Sequence, residues 1–98
     1  MEDKKNESHL LEFYGEECPY CRAMDPLVDR LEEEEGVAVT RYEVWHDPEN
    51  ARKMEDYDVD LCGGVPFFYN TSSGGWICGL SSYEELKAWA AGRAVSGH

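Results

Sequence analysis

Cys18-Pro19-Tyr20-Cys21 falls where one hydrophobic pattern stops and another begins. Before it, His9-Leu10-Leu11-Glu12-Phe13-Tyr14 reads as a short buried strand, and Gly15 to Cys18 as a turn. After it, Met24, Leu27, Val28 and Leu31 recur at helical spacing, with Arg22, Asp25, Asp29 and Glu32 largely on the opposite face. The first cysteine therefore stands at a helix N-terminus, where unpaired N–H groups and the helix dipole favour a thiolate. The second follows one turn on, close enough to attack a mixed disulfide on the first. Proline suits the first helical position. Such a pair can cycle between dithiol and disulfide. Half of a metal knuckle or two inert thiols are the other readings, but a second C-x-x-C is missing and His9, His46 and His98 are isolated, so no metal is expected, and the strand-turn-helix context favours redox.

The rest of the chain continues the alternation. Pro26 lies inside the first helix and should kink it. The run Glu32 to Glu35 opposes the dipole at the helix end, which predicts frayed, solvated carboxylates before Gly36 closes the helix. Val37 to Trp45 reads as a second strand, rich in β-branched and aromatic residues. Asp47-Pro48 caps a short helix to about Tyr57, and Asp58 to Gly64 is a loop. Val65 to Tyr69 and Trp76 to Cys78 form a hairpin around the turn Asn70 to Gly75. Ser81, with Glu84 three residues on, reads as the capping box of a last helix. The order β-α-β-α-β-β-α implies an α/β fold with a four-stranded mixed sheet and helices on both faces.

Ninety-eight residues hold one core, placed here at residues 9–92, with a flexible segment 1–8 and a tail 93–98. Twenty-one acids against nine bases give a net charge of −12. That argues against nucleic-acid and anionic-membrane partners and fits a soluble surface that attracts basic ones. No apolar run approaches a membrane span, and the first eight residues carry no apolar signal core, so a cytoplasmic protein is expected, or one inside an organelle if a targeting segment was removed.

The stretch Leu10-Leu11-Glu12-Phe13-Tyr14 with Cys18-Pro19-Tyr20-Cys21-Arg22 resembles the active-site region of the thioredoxin superfamily. Pro26, five residues after the second cysteine, matches its helix proline. Asp47-Pro48 resembles the segment after the second core strand. Gly64-Val65-Pro66 resembles its cis-proline loop, and Gly79 the glycine after the last strand. The resemblance covers about residues 9–91 and implies a minimal thioredoxin fold. It implies thiol–disulfide exchange on protein disulfides, with Cys18 as nucleophile, Cys21 resolving and no cofactor. Glu12 alone could be a solvent-facing strand end or a buried carboxylate of raised pKa beneath the helix start. The resemblance implies the second, moving a proton to and from Cys21. It also implies that Val65 and Pro66 position substrate, with Gly79 on the far wall. Tyr20, between the cysteines, is expected to be exposed and to touch substrate.

The departures matter as well. Pro19-Tyr20 is the dipeptide of glutaredoxins, yet Glu16 and Glu17 stand where those proteins favour a base, and they would repel anionic glutathione. Glu17 brings a negative charge beside Cys18, and Arg22 opposes it. Four functions stay open: a protein-disulfide reductase served by an unidentified reductase, a glutathione-dependent glutaredoxin, a binding module for a basic partner, and an oxidant or isomerase in an oxidising compartment, against which the lack of a signal core weighs. A monomer is expected. Cys78 reads as a small buried core residue. Cys62 reads as an inert loop thiol, a partner for Cys78 or a regulatory thiol. His46 reads as a surface residue beside the cap Asp47.

Overall fold

The computed structural model describes residues 8–59 and 61–93. The flexible segment expected at 1–8 and the tail expected at 93–98 lie almost wholly outside them. Seven elements follow in the expected order: β1 (Leu10–Tyr14), α1 (Pro19–Glu35), β2 (Thr40–Glu43), α2 (Pro48–Tyr57), β3 (Phe67–Asn70), β4 (Trp76–Cys78) and α3 (Tyr83–Ala90). The sheet order is β2-β1-β3-β4, with β1 parallel to β2 and the remaining pairs antiparallel.

Strand alternation divides the core between the two faces of this sheet. Leu10, Phe68 and Ile77 point to one face, where Met24, Val28 and Leu31 of α1 and Leu86 and Trp89 of α3 bury them. Leu11, Phe13 and Phe67 point to the other, under Met54 of α2. Phe13 stacks on Tyr42 and Phe67 there, with ring centroids 5.4 and 6.0 Å apart. Glu12 falls on the α1 face, where it is buried.

The helix ends follow local chemistry. Pro19 and Pro48 occupy first turns, and Asp47 accepts the amides of Glu49 and Asn50 at 3.0 and 3.2 Å. Gly36 ends α1 at φ 66°, a left-handed conformation that favours glycine, and returns its N–H to the Glu32 carbonyl. The capping box of α3 is one residue later than expected. Ser82 accepts from the Glu85 amide, and the Glu85 carboxylate accepts from the Ser82 amide. Both Ser81-x-x-Glu84 and Ser82-x-x-Glu85 satisfy the motif, and burial of Leu86 and Trp89 decides between the registers.

The acidic end of α1 is not frayed. Glu32 accepts the Val39 amide at 2.8 Å and meets Arg41, Glu34 meets Arg30 and the Tyr83 hydroxyl, and Glu35 meets Lys87. Cations from β2 and α3 supply what the helix dipole does not. The second and third strands are also shorter than their hydrophobic runs, since Val37–Val39 and Val65–Pro66 lie outside the ladder.

Candidate active site

The site is built at the C-terminal end of β1 and the start of α1. Cys18 is the N-cap of α1, in an extended conformation, and its amide bonds the Gly15 carbonyl at 3.0 Å. Its Sγ accepts the Cys21 amide at 3.1 Å, satisfying one of the orphan donors of the first turn. Both cysteines are free thiols and almost fully buried. The Cys18 Sγ lies 3.9 Å from the Val65 carbonyl oxygen, which brings the loop before β3 against the dithiol. The Val65–Pro66 peptide is cis. The Pro66 carbonyl in turn accepts the Gly79 amide at 2.8 Å, which ties the residue after β4 to the loop before β3. Tyr20 is 59% exposed, on the outer surface of the first turn.

Glu12 is wholly buried, and neither carboxylate oxygen has a hydrogen-bond partner. Burial pushes its pKa from 4.5 up to about 7, the nearby Arg41 charge opposing the rise and Asp25, Glu32 and Asp29 adding to it. Arg41 Nε stands 3.7 Å from Glu12 Oε1, and its guanidinium also meets Asp25, Asp29 and Glu32. Parallel pairing places Arg41 directly beside Glu12 in the sheet. Sequence reading missed Arg41; the available signal was the lone cation of a strand rich in β-branched and aromatic residues. Burial is also the largest cause that lifts the Cys21 thiol to about 12, with the hydrogen bond to Cys18 next and the Glu12 charge contributing. A cleft of about 240 Å³ lined by Tyr14, Gly15, Cys21, Arg22 and Asp25 opens beside Cys21. The arrangement holds a buried thiol that is hard to ionise and, within its electrostatic reach, a carboxyl poised to change protonation near neutral pH.

Glu17 is exposed beside Cys18, and both its oxygens meet His46 Nε2, at 2.8 and 2.9 Å. That pairing raises the His46 pKa, so the cation that answers Glu17 comes from the β2–α2 connection, while Arg22 donates to the Glu16 carbonyl at 3.2 and 3.3 Å. His46 is a surface residue, as expected, but it has this specific partner. Trp45, also unassigned by sequence reading, lies with its ring against Gly15. A Cβ built on Gly15 would fall within that ring, so the close approach requires glycine.

Cys62 and Cys78 are joined in a disulfide, with Cα atoms 5.4 Å apart. This corrects the reading of Cys78 as a buried core thiol and settles which of the Cys62 alternatives holds. Cys78 ends β4 on the α2 side, and the loop after α2 folds back to it. Asp58 directs that fold by accepting the amides of Leu61, Cys62 and Gly63. Sequence spacing carried no signal for the bridge, because the distance arises from the hairpin.

A strand-turn-helix dithiol on a four-stranded mixed sheet, with helices on both faces, defines a thiol–disulfide oxidoreductase fold. The Thioredoxin family model matches residues 2–91, and the chain belongs to that family. Comparison with curated proteins gives no significant match. Among the described residues, no helix is long and apolar enough to cross a membrane.

Proposed function

We propose that this chain reduces protein disulfides through Cys18 and Cys21. The observation that carries the reading is the position of Cys18 Sγ, held by the Cys21 amide at 3.1 Å and set 3.9 Å from the Val65 carbonyl, beside a backbone edge on which an extended chain can pair. Cys18, as thiolate, attacks one sulfur of a substrate disulfide, and the other substrate sulfur leaves. Cys21 then attacks Cys18 of the mixed disulfide. Its proton passes to Glu12, and the second substrate sulfur leaves and takes up a proton. The substrate gains two electrons, and Cys18–Cys21 becomes the disulfide. A thiol lifted to about 12 needs a base for this step, and a carboxyl near 7 can take the proton and later return it. A dithiol reductase recharges the pair. The exposed carboxylates of Glu16 and Glu17 beside Cys18 disfavour anionic glutathione as the donor.

The test is a Cys21→Ser variant incubated with a disulfide-containing protein. It should accumulate a mixed disulfide through Cys18, and Cys18→Ser should form none. Wild-type protein should catalyse protein-disulfide reduction by dithiothreitol and be nearly inactive in a glutathione-coupled hydroxyethyl-disulfide assay. Absence of a Cys18 adduct would refute the reading, and strong glutathione-coupled turnover would replace it with a glutaredoxin.

A further inference from the structure

A groove of about 420 Å³ lies between the start of α2 and the loop before β3, with Val44, Trp45, Met54 and Val65 as its apolar lining. Val65 makes the groove continuous with the active site, because its carbonyl is the group that faces Cys18 Sγ. Trp45 supplies a preset aromatic wall. One face of its ring covers Gly15, which is bonded to the Cys18 amide, and the side chain still leaves the residue 52% exposed. The lining from α2 and its end also carries two carboxylates, Glu55 and Asp58. Asp58 is engaged with the loop amides, whereas Glu55 is exposed and has no hydrogen bond or ion pair among the described residues. The bases of the same helix, Arg52 and Lys53, line a separate groove with Glu49 and Asp56. Glu16, exposed in the turn before Cys18, adds to the negative field.

An apolar, aromatic groove lined by one unpaired carboxylate matches a long aliphatic stem carrying a cation. We propose that the groove takes a lysine or arginine side chain adjoining the target cysteine, its methylenes on Trp45 and Met54 and its charged head at Glu55. The inference rests on the redox reading and deepens it by giving the substrate class: disulfides in basic sequence contexts. The net charge of −12 acts in the same direction by drawing basic chains toward the molecule.

Two sets of short peptides test this at low salt. In one, serine replaces the target cysteine and is flanked by Arg, Gln or Leu, and binding is followed by the Trp45 indole NMR signal. In the other, the same sequences carry a disulfide, and kcat/KM is measured. The Arg peptide should bind, and be reduced, about tenfold better than the Gln peptide, as a cation–π contact plus one exposed ion pair would give. The preference should fall to about twofold in Glu55→Gln, shrink in Trp45→Leu as read by kcat/KM, and weaken at high salt. Equal binding of Arg and Gln peptides overturns the proposal, as does a preference that survives Glu55→Gln. Tightest binding of the Leu peptide overturns it in favour of an apolar occupant. Retained Arg preference among the serine peptides, with no reduction of any disulfide peptide, supports the groove and refutes the redox reading instead.

Discussion

Replacing Glu12 with glutamine removes a buried titration while keeping the side chain's size. In the folded protein the carboxyl loses its proton near pH 7, and in the unfolded chain near 4.5. Between those values the folded state holds the extra proton, so native stability falls as pH rises through the window. At about 1.4 kcal/mol per pH unit, the ionised Glu12 costs the fold about 3 kcal/mol above pH 7. The Glu12→Gln variant carries no such cost. Its stability relative to wild type should therefore improve by about 3 kcal/mol between pH 4 and pH 8, a relative shift in urea midpoint on the order of 2 M. A constant penalty for the new amide, which also lacks a partner, offsets both ends equally, so the slope with pH is the quantity to read. Urea unfolding of both proteins at pH 4, 6 and 8, with Cys18 and Cys21 oxidised, provides it. Arg41 keeps Asp25, Asp29 and Glu32 in the variant, which limits the loss from its vacated contact. A difference that does not change with pH, or one that grows in favour of wild type at pH 8, would refute the account of Glu12. The same variant should slow resolution of the mixed disulfide at neutral pH without slowing its formation, read by quenched-flow trapping.

Other consequences can be checked separately. The Cys62→Ser/Cys78→Ser double variant loses a bridge with a sequence separation of 16 and should be destabilised by about 3 kcal/mol in chemical denaturation, with the Cys18–Cys21 pair still able to oxidise. Gly15→Ala must push Trp45 away and should cost about 1–3 kcal/mol, with a changed Trp45 indole signal in NMR spectra. His46 should titrate above the usual histidine range by NMR, and Glu17→Gln should bring it back toward that range, because the Glu17 carboxylate is the largest cause of the rise.

Much of the fold was legible along the chain because its signals are local. Strand alternation, helical spacing and the prolines at the first turns specify element type and order, and Cys18 to Cys21 span one helical turn wherever the chain goes. Where two local patterns were equally good, as with Ser81-Glu84 and Ser82-Glu85, burial of Leu86 and Trp89 chose. The Glu32–Glu35 run read as frayed because its partners, Lys87 on α3 and Arg41 on β2, are brought to it only by packing.

Local patterns along the chain specify a dithiol at a strand-to-helix junction, an acidic surface and the succession of elements. Tertiary structure decided the environment of each reacting group. Glu12 is buried because it shares a face of β1 with Leu10, and Arg41 lies beside it because β1 and β2 pair in parallel with that register. Val65 meets Cys18, Trp45 covers Gly15 and Cys62 reaches Cys78 because separate loops converge on one end of the sheet. Short-range sequence patterns fix conformation, whereas desolvation, Coulomb interaction and disulfide reach depend on distances through space, and these exist only once the chain has closed on itself.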